Sequence, residues 1–346
     1  MIELNHGINL GGFLSQCEHS YEHYDTFIGR EDIFNIKSMG FDHVRLPVDC
    51  NVFESEDGTP DERGMSYVDK VVMWCQDAGL NLIIDLHKAY GYDFNSAGSG
   101  SGDSDLPANT LFDDERLQSR FISLWGRIAA RYGKYSFVAF ELLNEVVEQE
   151  NADKWNSLIR RTVAAIREHA PDNTIIYGGI CWNSISYIKY LGKPIDDNII
   201  YTFHFYEPLI FTHQKAHWVK AMDPNREVYY PKDMDYYKEI SKTLGFQGAG
   251  VLETKSANMG EEFLEEMISE GLKAAEELGA KLYCGEFGVI DKAPAEDTLR
   301  WFKDVLGLFG RKNIGWCIWN YKDKDFSFID APNIEPVRDE ILKLIK

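Results

Sequence analysis

The sequence is short of positive charge: 36 Lys and Arg face 56 Asp and Glu, a net charge of −20 over 346 residues. Such a field repels nucleic acid and anionic lipid but has no such effect on an uncharged polymer. Neither nucleic acid nor a membrane is therefore expected as a partner. Long apolar runs are missing too, and none approaches the roughly 18 residues that a membrane span requires. The six cysteines, Cys17, Cys50, Cys75, Cys181, Cys284 and Cys317, are scattered without CxxC spacing. That pattern favours reduced thiols acting as small hydrophobes over a disulfide framework or a zinc site. The chain has no GxGxxG turn, P-loop or HExxH, the usual signatures of dinucleotide, nucleotide and zinc-protease chemistry. A basic, apolar leader is also lacking before the first strand, so the protein is expected either to be cytosolic or to have lost a signal.

What is present is alternation. Apolar runs at Gly7–Gly12, Phe41–Pro47, Leu80–His87, Phe137–Glu145, Thr174–Gly179, Asn198–Tyr206, Lys281–Gly288 and Asn313–Asn320 read as strands bounded by glycine, proline or polar residues. Between them, segments such as Tyr67–Ala78, Asp113–Tyr132, Asp153–His169 and Glu261–Leu278 carry apolar residues at helical spacing. Strict β/α alternation implies a parallel sheet, and near-continuous apolar strands imply burial on both faces. Eight units favour closure into a (β/α)8 barrel over an open doubly wound sheet. One catalytic domain, 1–346, is expected, with 207–259 as an aromatic, proline-containing insertion after the sixth strand. Gly91–Asn109, rich in Gly, Ser and Asp, reads as a flexible loop.

Catalytic residues of such barrels sit at the carboxyl ends of the strands. Arg45, His87, Asn144, Glu145, His204, Tyr206, Glu286 and Trp319 lie at or just past those ends, on six strands. Taken singly, each has an ordinary explanation: a pairing cation, a core histidine, a packed indole. Together they converge. Glu145 and Glu286 supply the two carboxylates that glycoside hydrolysis needs, which for a retaining mechanism must come within roughly 5 to 5.5 Å. Asp85 and Glu141, also within strands, read as structural partners in the lumen. His213 and His217 share i,i+4 spacing, but without a third ligand they read as packing, and no metal or cofactor is expected. The aromatics of the insertion and its lead-in, Tyr206, Phe211, Trp218, Tyr229 and Tyr230, suit either a glycan-binding wall or packing of the insertion on the barrel.

The set Arg45, His87, Asn144-Glu145, His204-x-Tyr206, Glu286 and Trp319 resembles the active-site pattern of glycoside hydrolase family 5, the cellulase family of retaining barrels. It is most similar to small clostridial endoglucanases with a subdomain after the sixth strand. The resemblance implies a retaining endo-β-1,4-glucanase acting on β-glucan polysaccharide or oligosaccharide, and a monomer is expected. It implies Glu145 as acid/base and Glu286 as nucleophile, with Arg45 holding Glu286 ionised, Tyr206 donating a hydrogen bond to Glu286 and His204 supporting Glu145. It further implies that Asn144 and His87 contact the sugar, that Trp319 floors its subsite, and that Trp182 and Asn183 belong to a flanking one. One position departs: Lys88 stands where close relatives carry a second histidine. The same chemistry on mannan, xyloglucan or β-1,3-glucan, exo-cleavage, and a silent carbohydrate-binding barrel are the alternatives.

Overall fold

The computed structural model describes residues 1–96 and 109–345, so most of the expected loop at Gly91–Asn109 lies outside the described residues. Eight parallel strands close into a barrel in sequence order. They are β1 (His6–Asn9), β2 (His43–Asp49), β3 (Asn81–Lys88), β4 (Val138–Glu141), β5 (Ile175–Gly178), β6 (Ile199–Phe205), β7 (Lys281–Phe287) and β8 (Gly315–Ile318). Outer helices include Glu62–Ala78, Glu115–Tyr132, Ala152–Arg167, Glu261–Leu278 and Ala295–Lys312. Each turns apolar residues such as Val68, Val71 and Val72, or Phe121, Leu124 and Trp125, onto the barrel, as the 3.6-residue period requires. Among the described residues no helix is long and apolar enough to cross a membrane. All six cysteines are free, and all but Cys17 are buried.

Several expected boundaries move for identifiable reasons. β2 does not stop at Pro47 but runs to Asp49. Residues 45 and 49 bond toward the β1 side, through Leu10 N–H to the Arg45 carbonyl and Asp49 N–H to the Leu14 carbonyl. Pro47 thus presents its missing N–H where β1 has already ended, and no ladder bond is lost. β4 ends at Glu141 rather than Glu145. The helix expected over Asp153–His169 runs from Ala152 to Arg167 behind Asn151, which makes no side-chain cap. Residues 207–259 contain the short helices Leu209–Thr212, Met234–Ser241 and Ala249–Glu253.

Inside the barrel, side chains from alternate strand positions fill the lumen in layers. Near the amino-terminal end, Leu4, Ile83, Ala139, Ile176, Ile200, Tyr283 and Cys317 form a buried apolar cluster of their own. One layer up stand Arg45 of β2 and, two residues further along β3 and β4, Asp85 and Glu141, all fully buried.

Candidate active site

Arg45 is the hub of the barrel mouth. Its Nε and Nη2 donate to the two oxygens of Glu141 at 2.7 and 2.9 Å, a bidentate pair. Nη1 donates to Glu286 Oε1 at 2.8 Å and to Asn9 Oδ1 at 3.0 Å, and Nη2 also reaches Asn144 Oδ1 at 2.9 Å. Asp85 Oδ2 lies 3.1 Å from Nη2. A single buried cation thus faces three carboxylates, an arrangement that is stable only because its planar fork fixes all of them at once.

Glu286 reaches the mouth through a register shift in β7. Phe203 pairs with Cys284 but His204 with Glu286, so Gly285 is an extra residue in the ladder. Without it Tyr283, in the lumen, would be followed inward by Gly285 and Phe287. With it Glu286 points in and Phe287 packs outward against Phe302, Phe309 and Trp316. Tyr206 Oη donates to Glu286 Oε2 at 3.0 Å.

Glu145 is presented differently. Past the end of β4, Leu142 N–H still bonds Ile176 and Asn144 N–H bonds the Leu86 carbonyl. The backbone then turns at Glu145 with φ 41°, uncommon for a residue with a side chain. Tyr92 clamps that turn, donating to the Glu145 carbonyl at 3.1 Å and accepting from Val147 N–H at 2.8 Å. The side chain meets His204, whose Nδ1 lies 2.7 Å from Oε1. One oxygen each of Glu145 and Glu286 and a ring nitrogen of His204 fall within 4.8 Å of one another.

Burial sets the protonation pattern. It pushes the Glu145 carboxyl up to about 8, against the pull of Arg45 and with a push from Glu141. It raises Glu286 as well, to about 7, while His204 and Arg45 act to lower it. The low value expected for Glu286 is therefore not reached, because desolvation of its carboxylate outweighs both partners. Burial thus raises both carboxyls, and the two favourable partners restrain the rise of Glu286. Burial also drives His87 down to about 3 and His204 down to about 4, leaving both imidazoles neutral.

The remaining residues divide by position. His87 Nδ1 is held by Asp85 Oδ2 at 2.7 Å, and its Nε2 has no partner. Asn144, its oxygen bound to Arg45, likewise leaves Nδ2 unpartnered. These leave one buried acceptor and one buried donor without a protein partner. Trp319 stacks parallel to His87 at 5.9 Å and lies over Gly11, where a Cβ would come within 2.8 Å of the indole. Trp182 is partly exposed and stacks on Phe246 at 6.2 Å. Asn183 is not on the cleft surface: it is fully buried behind His204.

Packing, one of the expected readings, describes His213 and two of the insertion rings. His213 and His217 share no helical face, since the helix ends at Thr212. His213 instead sits among Tyr206, Phe326 and Trp218. Phe211 and Tyr230 pack on each other at 5.2 Å, and Tyr230 donates to Asp304 on the outer helix, so these rings anchor the segment. Trp218 and Tyr229 remain exposed. Sequence reasoning missed Asn9, whose polar side chain in the apolar run Gly7–Leu10 was a signal. It also missed Tyr92, which lies in a polar loop with no periodic signal at all.

Comparison with known proteins identifies the family and bears out the fold. The family model described as cellulase (glycosyl hydrolase family 5) matches residues 6–325. Endoglucanase C of Acetivibrio thermocellus is 40% identical over 350 residues, covering 100% of this chain and 98% of its own. Cellodextrinase A of Ruminococcus flavefaciens is 38% identical, covering 98% and 92%. Cel5A of Thermotoga maritima, solved with cellobiose, superposes with a TM-score of 0.72 at 25% identity, covering 99% of this chain and 97% of its own. It has also been solved with mannotriose. The chain therefore belongs to glycosyl hydrolase family 5, the cellulase family, and is a glycoside hydrolase.

Proposed function

We propose that the protein is a retaining endo-β-1,4-glucanase with Glu286 as nucleophile and Glu145 as acid/base. The observation that carries this reading is the approach of the two carboxyls, an oxygen of each lying within 4.8 Å. Retaining enzymes hold theirs roughly 5 to 5.5 Å apart, whereas inverting ones leave about 6.5 to 9.5 Å for a water. Glu286 attacks the anomeric carbon while the proton of Glu145 passes to the departing glycosidic oxygen. The glycosyl–Glu286 ester then breaks when water attacks the same carbon and gives its proton to Glu145. Two inversions return the β configuration.

The surrounding residues fit these steps. Arg45 and Tyr206 donate to both oxygens of Glu286 and favour its ionised form. The free Nδ2 of Asn144 and Nε2 of His87 suit sugar hydroxyls, and Trp319 suits an apolar sugar face. Residues 207–259 are read as an insertion in the single barrel domain, with Trp218 at the cleft lip. The names of the relatives support β-1,4-glucan as substrate, and the mannotriose complex of the Thermotoga protein supports mannan as the second reading.

NMR of the first products of cellopentaose hydrolysis tests the mechanism. The β-anomer should appear first, and initial α-anomer would overturn it. Viscosity loss of carboxymethylcellulose ahead of reducing-end release supports endo action, and parallel assays on mannan, xyloglucan and laminarin rank the substrates.

A further inference from the structure

Behind His204 the chain does something unusual. Cys181, Trp182 and Asn183 follow one another with φ of 55°, 55° and 53°, three left-handed residues in a row with no glycine among them. Each carries a steric cost that persists only where the surroundings impose it. The turn is tied to the segment after Glu145, through Cys181 N–H to the Val147 carbonyl and Trp182 N–H to the Val146 carbonyl. Ser184 bridges to His204 itself. The result is to bury the Asn183 side chain completely against the far edge of the imidazole, with Nδ2 3.4 Å from His204 Nε2. Gly178 makes room for it, since a Cβ there would come within 2.2 Å of Asn183 Oδ1. That Oδ1 has no hydrogen-bond partner, so the amide gains nothing at this place except its contact with His204.

We propose that Asn183 is a positioning residue that fixes the tautomer of His204 and, through it, the oxygen of Glu145 that carries the acid proton. An amide N–H directed at Nε2 requires that nitrogen to be an acceptor, and in a neutral imidazole the proton then resides on Nδ1. Nδ1–H donates to Glu145 Oε1 at 2.7 Å. With Oε1 occupied as an acceptor, the acid proton is left to Oε2. His204 thus holds one tautomer through both half-reactions, donating to Glu145 whether it is protonated or ionised.

The proposal rests on Glu145 being the acid/base, but its first readout does not. Long-range 1H–15N correlation spectra of histidine-labelled protein, with His204 assigned by its loss in His204→Gln, should show Nδ1 protonated and Nε2 bare. In Asn183→Asp a carboxylate replaces the donor, and Nε2 should gain the proton. A wild-type Nε2 that is protonated, or an Asp variant whose Nε2 stays bare, overturns the assignment. Asn183→Gly removes the side chain while keeping a residue that tolerates the left-handed backbone.

Besides Asn183, the groups facing His204 and Glu145 are Arg45 from β2, Asp85 and His87 from β3, Tyr92 just beyond it, Glu141 from β4, Tyr206 beyond β6 and Glu286 from β7. None changes in the glycine variant. Ionised Glu145 loses only the assurance of its Nδ1–H donor, so the alkaline limb of kcat should move up by about half a pH unit while the acid limb stays. An unmoved alkaline limb with a merely reduced kcat means a structural role and overturns the proposal. If Glu145→Gln retains full turnover, the functional reading fails instead, and the tautomer result stands apart from it.

Discussion

Two layers of one barrel, a single pair of residues apart, carry opposite designs. The lower layer draws Ile83 from β3 and Ala139 from β4 into an apolar plug with Ile176, Ile200 and Cys317. The upper layer draws Asp85 and Glu141 from those same strands around Arg45. His43 is the polar neighbour of the plug, its Nε2 meeting the Tyr283 hydroxyl at 2.7 Å. Burial is near complete in both layers, so what differs is what burial does. In the plug it stabilises the fold at about 25 cal/mol per Å² of apolar surface. At the mouth it raises carboxyl groups, Glu145 to about 8 and Asp85 and Glu286 to about 7. That lets the mouth hold a proton donor near neutral pH. The mouth draws its reactivity from an environment that does not favour its charges, and the plug supplies stability.

The largest expected effect breaks the mouth alone. Glu286→Gln and Glu145→Gln should each lower kcat on β-glucan at least about a thousandfold with little change in melting temperature. Azide with an activated aryl cellobioside should restore turnover to a Glu145 variant as the β-glycosyl azide, the product of attack on the glycosyl–Glu286 ester. Near-normal turnover in either variant would remove that residue from its role. Next, Arg45→Met should strike both properties, because it strands buried carboxylates at a cost of about 3 to 5 kcal/mol. Urea unfolding would show the lowered midpoint, and assays of the folded fraction the lost activity.

Ile83→Ala is the converse. It should cost about 2 to 4 kcal/mol in urea unfolding and leave kcat of the folded enzyme within about twofold, since no mouth contact changes. A kcat collapse there would mean that the layers are coupled.

Subtler is the pH profile. With the proposed roles, activity needs Glu286 ionised and Glu145 protonated, so it should fall as pH drops through about 7 and again as pH rises through about 8, giving a narrow bell. A chelator should leave it unchanged. Loss of activity in EDTA, restored by a divalent ion, would instead assign a metal role to Glu145, His204 and Glu286, the one group among the described residues with the donors and spacing to hold one.

The smallest effect concerns stability. Because the folded Glu145 value lies above the ordinary carboxylate range, its contribution is fully present below that range and is lost as pH rises through about 8. Glu145→Gln should therefore melt about 1 to 3 °C higher than wild type at pH 9 and within error of it at pH 4. Calorimetry at the two pH values checks the sign.

The fold was largely legible in the sequence, and for a simple reason. Eight apolar runs separated by amphipathic helices can bury both strand faces only in a parallel sheet with helices outside, and local periodicity records that requirement directly. Helix Glu261–Leu278 matches its expected bounds residue for residue. Strand ends were less legible, as β2 passing through Pro47 and β4 stopping at Glu141 demonstrate, because pairing with neighbours decides where a ladder stops. Polar residues at those ends marked Arg45, Glu145, His204 and Glu286 as belonging together.

What only the tertiary structure decided is how they meet. A residue's type states which bonds it can make; its distance from another residue, and the water excluded around both, depend on strands far apart in the chain. The extra residue Gly285 that turns Glu286 inward, the Tyr92 clamp on the Glu145 turn and the left-handed path that hides Asn183 behind His204 leave no periodic trace. The sequence by itself determined a barrel and the residue types at its mouth. Closure of that barrel determined how near those residues come and how far each is withdrawn from water, since only there are burial and neighbouring charge fixed together.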